Sequence, residues 1–116
     1  GRTAILTATG DDPLGTIAPD KAEVWRKLDL AVLHELVIER VLKPKFGGDS
    51  VGFKYTAELD RMRAMADEEP GRLGVVMQAT SLEEVCDVSL ADEVMPPKST
   101  FFYPKLATGL VINPLQ

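Results

Sequence analysis

Two kinds of hydrophobic spacing alternate along the chain, and each predicts a different element. Threonine and aliphatic residues dominate residues 2–9, which predicts a strand that ends in the turn residues at 10–13. Residues 51–56 alternate large apolar with small or polar residues, the period of a half-buried strand. The continuous apolar run at 73–77 predicts a central strand covered on both faces, and residues 106–112 predict a last strand.

Between these strands, the apolar positions recur at helical spacings of three and four residues. Pro19 predicts the first position of a short helix, where its missing N–H is harmless. Asp29 predicts the N-cap of a longer helix over 30–42, whose wide apolar stripe indicates the central helix of the core. A further amphipathic helix is predicted over 57–69.

The clearest helix start in the sequence is a capping box at Ser81. In this motif the Ser81 hydroxyl accepts a hydrogen bond from the backbone of Glu84, whose carboxylate accepts one from the backbone N–H of Ser81. The helix that begins there is expected to bury Leu82, Val85 and Cys86. We therefore interpret Cys86 as a core cysteine rather than a reactive thiol.

The order of these elements predicts the fold class. Strands that alternate with helices indicate an α+β protein with α/β-like alternation, in which helices pack on a small mixed sheet of about four strands. The 116 residues correspond to a single domain over 1–116. The chain begins with Gly1 and Arg2 rather than with a methionine, so we expect a fragment of a longer protein.

Composition narrows the classes of function and partner. A formal net charge of -5 disfavours a general nucleic-acid surface, so no DNA partner is expected. No apolar run approaches the roughly 20 residues that a bilayer-spanning helix needs, so no membrane partner is expected. The single cysteine excludes an intrachain disulfide and is typical of a reducing, cytoplasmic setting.

The acid-free end of the chain carries the candidate chemistry. Residues 67–93 hold eight acids and one base, whereas residues 94–116 hold two lysines and no acid. The run 95–105 crowds together prolines, aromatic rings, lysines and hydroxyls, and its donors suit a phosphate or carboxylate. The candidate ligand-binding residues, for an anion or a nucleotide, are Lys98, Ser99, Thr100, Tyr103 and Lys105.

The same run has two other interpretations. It is the pattern of a short edge strand, stiffened by prolines and anchored to the core by Phe101 and Phe102. If these rings are exposed together with Tyr103, they are instead anchors of an interaction surface. The burial of the aromatic rings therefore discriminates between a structural and a binding role.

His34 is the remaining candidate for chemistry. Within an apolar helix it is a possible general acid or base, and the alternative is a partly buried histidine bonded to a backbone carbonyl or a carboxylate. No metal site is expected, because one histidine and one cysteine without paired spacing do not make a transition-metal site. The glycines match neither common nucleotide-binding fingerprint, and no cofactor is assigned.

A family resemblance rests on the same C-terminal run. Met-Pro-Pro-Lys-Ser-Thr-Phe-Phe-Tyr-Pro-Lys at 95–105, followed by Leu-Ala-Thr-Gly-Leu-Val at 106–111, resembles the C-terminal signature of a bacterial family, the domain of unknown function ten-fifteen family. The resemblance extends to residues 28–36 and to the spacing of the segments 53–55 and 75–77. It covers most of the chain.

The resemblance implies a place in a larger protein but no reaction. Members of the family are much longer, so the chain would be a C-terminal portion and its expected partner the missing N-terminal part. The family is grouped loosely with ParB-like proteins, some of whose relatives bind nucleotides or transfer phosphate, and this analogy assigns no catalytic residue. The signature falls on the five candidate ligand-binding residues, and His34 matches a second recurrent position.

Two functions are compatible with the sequence. The first is an anion- or nucleotide-binding or structural C-terminal module of a larger cytoplasmic protein. The second is a fragment of a phosphate-handling, kinase- or phosphotransfer-like enzyme whose site is shared with the missing N-terminal part. In that enzyme Lys98 and Lys105 would neutralise phosphate, and His34 or an acid would move a proton. The sequence leaves open whether the protein is an enzyme.

Overall fold

Helices are the regular elements of the described part of the chain. The computed structural model describes residues 3–48, 51–101 and 103–104. In chain order the elements are α1 (Glu23–Arg26), α2 (Asp29–Val32), a π-helix (Leu33–Leu42), α3 (Lys43–Phe46), α4 (Leu59–Asp67) and α5 (Leu82–Leu90). The helix predicted over 57–69 is confirmed as α4. None of the helices in these ranges is both long enough and apolar enough to cross a membrane.

The predicted break between the first two helices is confirmed, although both predicted starts are displaced. α1 begins at Glu23, four residues after Pro19, and ends at Arg26. α2 begins at Asp29, and its N-cap is Leu28, whose backbone is extended and whose side chain makes no capping hydrogen bond. Asp29 is thus the first helical residue, where a negative charge still interacts favourably with the helix dipole.

The helical segment that starts at α2 is longer than predicted and contains a ten-residue π-helix. At its end the backbone N–H of Lys43 donates to the carbonyl of Ile38, five residues earlier, which is the π-helical pattern. Pro44 lies in the first turn of α3, where a missing N–H is tolerated. The segment ends at Gly47, whose φ of 117° is in the left-handed region that glycine adopts without a steric penalty.

The capping box at the start of α5 is confirmed in both directions. The Ser81 hydroxyl accepts from the Glu84 N–H at 3.1 Å, and the Glu84 carboxylate accepts from the Ser81 N–H at 2.6 Å. The predicted buried face is wrong, because α5 buries Val88 while Leu82 and Cys86 are exposed. Cys86 is therefore not a core cysteine. Local hydrogen bonds fix where this helix starts, but its buried face depends on what packs against it.

A small core joins the loop before α1, the first helices and α5. Its buried side chains are Leu14, Ala18, Trp25, Leu28, Ala31 and Val88. Ile17, Val32, Leu36 and Met95 pack against this cluster and are themselves partly buried. The core therefore brings residues 14–36 together with residues 88–95, from the other end of the described chain.

Polar contacts close this unit just after α5. The Glu93 carboxylate accepts from the Ala22 backbone N–H at 2.9 Å and from the Lys21 ammonium at 3.0 Å. The Trp25 indole N–H donates to the Val94 carbonyl at 3.1 Å, and the Lys21 ammonium lies 5.4 Å from the centre of the Trp25 ring. The hydrogen bond from Ala22 and the partner Lys21 lower the pKa of Glu93, so its carboxylate stays charged near neutral pH.

The predicted α+β fold is wrong, since the described residues contain helices and no strand. Three of the predicted strands fall in the described ranges, at 3–9, 51–56 and 73–77, and all three are non-helical. They form no backbone hydrogen bonds with one another in the described part of the chain. A strand requires a hydrogen-bonded partner as well as a suitable side-chain pattern. The predicted last strand, 106–112, lies outside the described residues.

Candidate functional site

An open groove of about 1740 Å³ lies beside the core. Its lining comes from the helical residues between 28 and 46, from the run 51–59, from α4, from the run 71–81, and from Glu84, Met95, Lys98 and Ser99. The long helical segment and both non-helical runs of the middle of the chain therefore line the groove. Two of the residues singled out in the C-terminal run lie at its border.

One wall of the groove is fixed by close packing between the run 73–77 and α4. A side chain at Gly74 would collide with the sulfur of Met62 and would lie 3.3 Å from the Cβ of Ala66. A residue larger than glycine would therefore require the Met62 side chain to move. Met62 and Ala66 are half-buried beneath it, so the Met62 side chain supports the wall of the groove.

The groove walls expose large apolar side chains. Leu73 is 69% exposed and Val76 is 67% exposed, so the prediction of a strand covered on both faces is wrong for this run. Phe53 and Tyr55 are also exposed along the other non-helical run. The sequence interpretation missed these residues as a surface. Their apolar character was visible in the sequence, but the prediction assigned them sheet partners that the described residues do not provide.

The structure brings three of the candidate site residues to this groove. Lys98 and Ser99 line it, and His34 lines it from the π-helix. The His34 ring is half-buried and lies 6.0 Å from the centre of the Phe53 ring at an interplanar angle of 45°. His34 is therefore held against an apolar wall, and its ring contact is an aromatic one.

A tight turn shapes the border of the groove at Lys98. The Ser99 backbone N–H donates to the Pro96 carbonyl at 3.3 Å, and the Ser99 carbonyl accepts from the Thr80 hydroxyl at 2.7 Å. Lys98 has a φ of 63°, in the left-handed region. Because the Ser99 N–H is used within the turn, the groups that remain for an anion are the Lys98 ammonium and the Ser99 hydroxyl. Among the described residues, Lys98 has no carboxylate within ion-pair distance.

The rest of the candidate set does not join this border. Thr100 and Tyr103 are exposed and are not among the residues that line the groove, and Lys105 lies outside the described residues. Phe101 is also exposed, so the prediction that it anchors the run to the core is wrong. Phe102 lies outside the described residues. The exposed rings of Phe101 and Tyr103 therefore fit the interaction-surface interpretation of this run.

The charged residues along the groove are balanced in sign. Three carboxylate side chains and three lysine or arginine side chains line it, namely Asp29, Glu58, Glu84, Lys54, Arg72 and Lys98. Arg72 is already engaged, because it pairs with Glu68 at 2.5 Å and Glu69 at 3.0 Å, and the Glu68 hydrogen bond raises its pKa. Glu84 belongs to the capping box. The groove therefore has no strong field of one sign.

Among the described residues, the backbone along the two non-helical walls has no hydrogen-bonded backbone partner. Neither residues 51–55 nor residues 73–79 form a backbone–backbone hydrogen bond with any other described residue. The walls therefore combine exposed apolar side chains with backbone donors and acceptors that are not paired with the backbone of any described residue.

The geometry offers little that resembles a metal centre. Within residues 3–48, 51–101 and 103–104, no group of three or more histidine, cysteine or acidic side chains is placed to hold a metal ion.

Comparison with known proteins assigns neither a family nor a function to the chain. No protein-family model matches the chain, no curated protein matches it, and no solved structure matches it.

Proposed function

We propose that this chain is a structural module of a larger cytoplasmic protein, in which another part of the polypeptide covers the open groove. The observation that carries the proposal is the exposure of large apolar side chains along the groove walls, above all Leu73 and Val76. Contiguous apolar patches of this kind are uncommon on stable monomers and mark interaction surfaces.

A polypeptide fits the groove better than a small ligand does. The volume of the groove, about 1740 Å³, exceeds the roughly 300–1,000 Å³ of typical small-molecule sites. The balanced charges give no strong attraction for a highly charged ligand. Phe101 and Tyr103 follow the border residue Ser99 closely in the chain and are exposed, and aromatic rings of this kind commonly anchor protein–protein contacts.

The family resemblance gives the proposal a concrete partner. If the chain belongs to the domain of unknown function ten-fifteen family, the covering segment comes from the N-terminal part of the same protein. In that case Lys98, Ser99 and the rings that follow them lie where the two parts meet. This membership and the cytoplasmic location remain predictions from the sequence.

Cysteine labelling tests whether the groove is covered. In a Cys86→Ser background, Val76→Cys places the sole thiol on the groove wall, and Leu90→Cys places it on α5, where Leu90 is 85% exposed outside the groove. A maleimide should label Val76→Cys at least tenfold more slowly in the full natural protein than in the 116-residue chain. The Leu90→Cys control should label at similar rates in both. Equal rates for Val76→Cys would refute the proposal.

A second candidate function is an anion or nucleotide site at the groove border, either in a binding module or in a phosphate-handling enzyme. The observation that favours it is that Lys98, Ser99 and His34 line one groove. A thermal-shift experiment with ATP and inorganic phosphate tests it on both the full protein and the chain. Stabilisation should be lost in Lys98→Ala and kept in Lys45→Ala, which alters an exposed lysine outside the groove. No stabilisation of either protein would refute the site.

A further inference from the structure

We propose that residues 33–42 can adopt two helical registers, and that Pro44 holds them in the π-helical one, which decides which apolar side chains line the groove. The inference rests on the proposed function only in that the groove is an interface, because the register itself is a property of the chain alone. It is carried by the spacing of the lining residues and by the hydrogen bonds on either side of the proline.

The ten residues of the π-helix do not account for its register. π-helices occur mostly as single turns within α-helices, frequently at functional sites, whereas this one spans Leu33–Leu42. Its sequence contains neither glycine nor proline, and its leucine, glutamate and arginine residues favour an α-helix. The cause of the π register therefore lies outside these ten residues.

Pro44 lies where the register changes. The last N–H before the proline, that of Lys43, donates to the carbonyl of Ile38, five residues earlier. After the proline, the N–H of Gly47 donates to the carbonyl of Lys43, four residues earlier, at 3.2 Å. In an uninterrupted α-helix the ring of Pro44 would collide with the carbonyl of Arg40. A π-helical turn before the proline places that carbonyl differently, and Pro44 therefore selects the π register.

The register decides which side chains of this segment line the groove. Leu33, Val37, Ile38 and Leu42 line it, so that a lining residue recurs after four or five positions, as expected for a helix with i→i+5 hydrogen bonds. Val41 is 49% exposed and does not line the groove. At the spacing of three and four residues that an α-helix requires, Val41 would follow Val37 on this face and Leu42 would turn away from it. The sequence thus carries one apolar stripe for each register.

NMR couplings across hydrogen bonds, measured between the amide nitrogens and carbonyl carbons of the 116-residue chain, report the register directly. In the natural sequence the nitrogen of Lys43 should couple to the carbonyl of Ile38. In Pro44→Ala it should couple to the carbonyl of Glu39, four residues earlier, as in an α-helix. The control Pro70→Ala, which removes a proline outside this helical segment, should keep the coupling to Ile38. A coupling of Lys43 only to Glu39 in the natural sequence, or only to Ile38 in Pro44→Ala, would overturn the proposal.

Cysteine labelling measures the change in the groove surface. In a Cys86→Ser background, Val41→Cys should react with a maleimide at least threefold faster than Leu42→Cys, because Leu42 is half-buried on the groove wall. Pro44→Ala should lower the ratio of the two rates at least threefold, and Pro70→Ala should leave it unchanged. Alanine is the better helix former, so the Pro44 variant is expected to stay folded. An unchanged ratio in Pro44→Ala would mean that the proline does not set the lining of the groove.

Failure of this inference is distinguishable from failure of the proposed function. The register is measured on the 116-residue chain, whereas covering of the groove is measured by the labelling of Val76→Cys in the full natural protein. If Pro44→Ala keeps the π register while Val76→Cys is shielded in the full protein, the inference is overturned and the proposed function stands. If Pro44→Ala becomes α-helical while Val76→Cys labels equally in both proteins, the proposed function fails and the register inference stands.

Discussion

The substitution Leu14→Ala tests whether the small core holds the two ends of the described chain together. Leu14 is 0% exposed and lies in the cluster that includes Trp25 and Val88. The change removes three carbon atoms, which at about 0.8 kcal/mol per buried methylene lowers stability by roughly 2.4 kcal/mol, and the cavity that remains adds to this. We expect a total loss of about 3 kcal/mol, a large part of the stability of a domain this size.

Urea unfolding followed by tryptophan fluorescence measures this loss. Trp25 is the one tryptophan of the chain, and at 8% exposure it reports directly on the core. With a urea dependence of about 1.5 kcal/mol per molar, the unfolding midpoint of Leu14→Ala should fall by about 2 M. The matched control is Leu90→Ala, the same chemical change at an exposed position, which should alter stability by less than about 0.5 kcal/mol.

Equal effects of the two substitutions would refute the assignment of Leu14 to the core. If Leu14→Ala and Leu90→Ala lower the unfolding midpoint equally, the cluster around Leu14 is not the core of the protein. Should Leu14→Ala be unfolded without urea, the milder Leu14→Val keeps the test quantitative, with an expected loss of about 1 kcal/mol. A negligible effect of that variant would contradict the structure in the same way.

Two further predictions concern the polar contacts around α5. Because the folded pKa of Glu93 is lowered, the contacts of its carboxylate with Ala22 and Lys21 stabilise the protein above the ordinary glutamate pKa of about 4.3 and are lost as the pH falls below it. Thermal unfolding between pH 3 and pH 7 should therefore show a smaller acid-induced fall in Glu93→Gln than in the natural sequence, and identical pH profiles would contradict this role. Ser81→Ala removes the hydroxyl that accepts a hydrogen bond from the Glu84 backbone N–H, so the free energy of unfolding measured in urea should fall by about 1 kcal/mol. An unchanged unfolding midpoint would mean that α5 does not depend on its capping box.

Features that depend on neighbouring residues in the chain were predictable. The capping box at Ser81 needs only a hydroxyl and a carboxylate three residues apart, and it forms as the sequence predicts. The break before Asp29 and the helix α4 also follow from local patterns. The predicted positions of these features were accurate to within a few residues, because the hydrogen bonds that create them span one helical turn.

Features that depend on distant partners were not predictable from the same patterns. The runs 51–56 and 73–77 have the side chains of strands, but strand pairing needs a second segment at the correct distance, and pattern alone does not supply one. The exposure of Cys86 has a similar origin, since the helix α5 turns Val88 rather than Cys86 towards the core. In both cases the contact that decides the outcome lies far away in the sequence.

The candidate site was also predictable only in part from the sequence. The sequence alone identified the acid-free run and its lysine and hydroxyl groups, because charge and residue type need no coordinates. It did not show that Lys98 and Ser99 lie on the same groove as His34, or that Thr100 and Tyr103 lie apart from it. It also did not show that the surrounding walls are apolar and exposed.

The sequence by itself therefore determined the capped start of α5, the charge asymmetry and the residues available for chemistry, all of which follow from residue identity and short-range hydrogen bonding. The tertiary structure decided which face of α5 is buried, that residues 14–36 pack against 88–95, and that the middle of the chain leaves an uncovered groove. The physical reason is that burial is a property of pairs of segments. An apolar run can lie in a core, in a sheet or on an open surface, and only the segment that packs against it distinguishes the three.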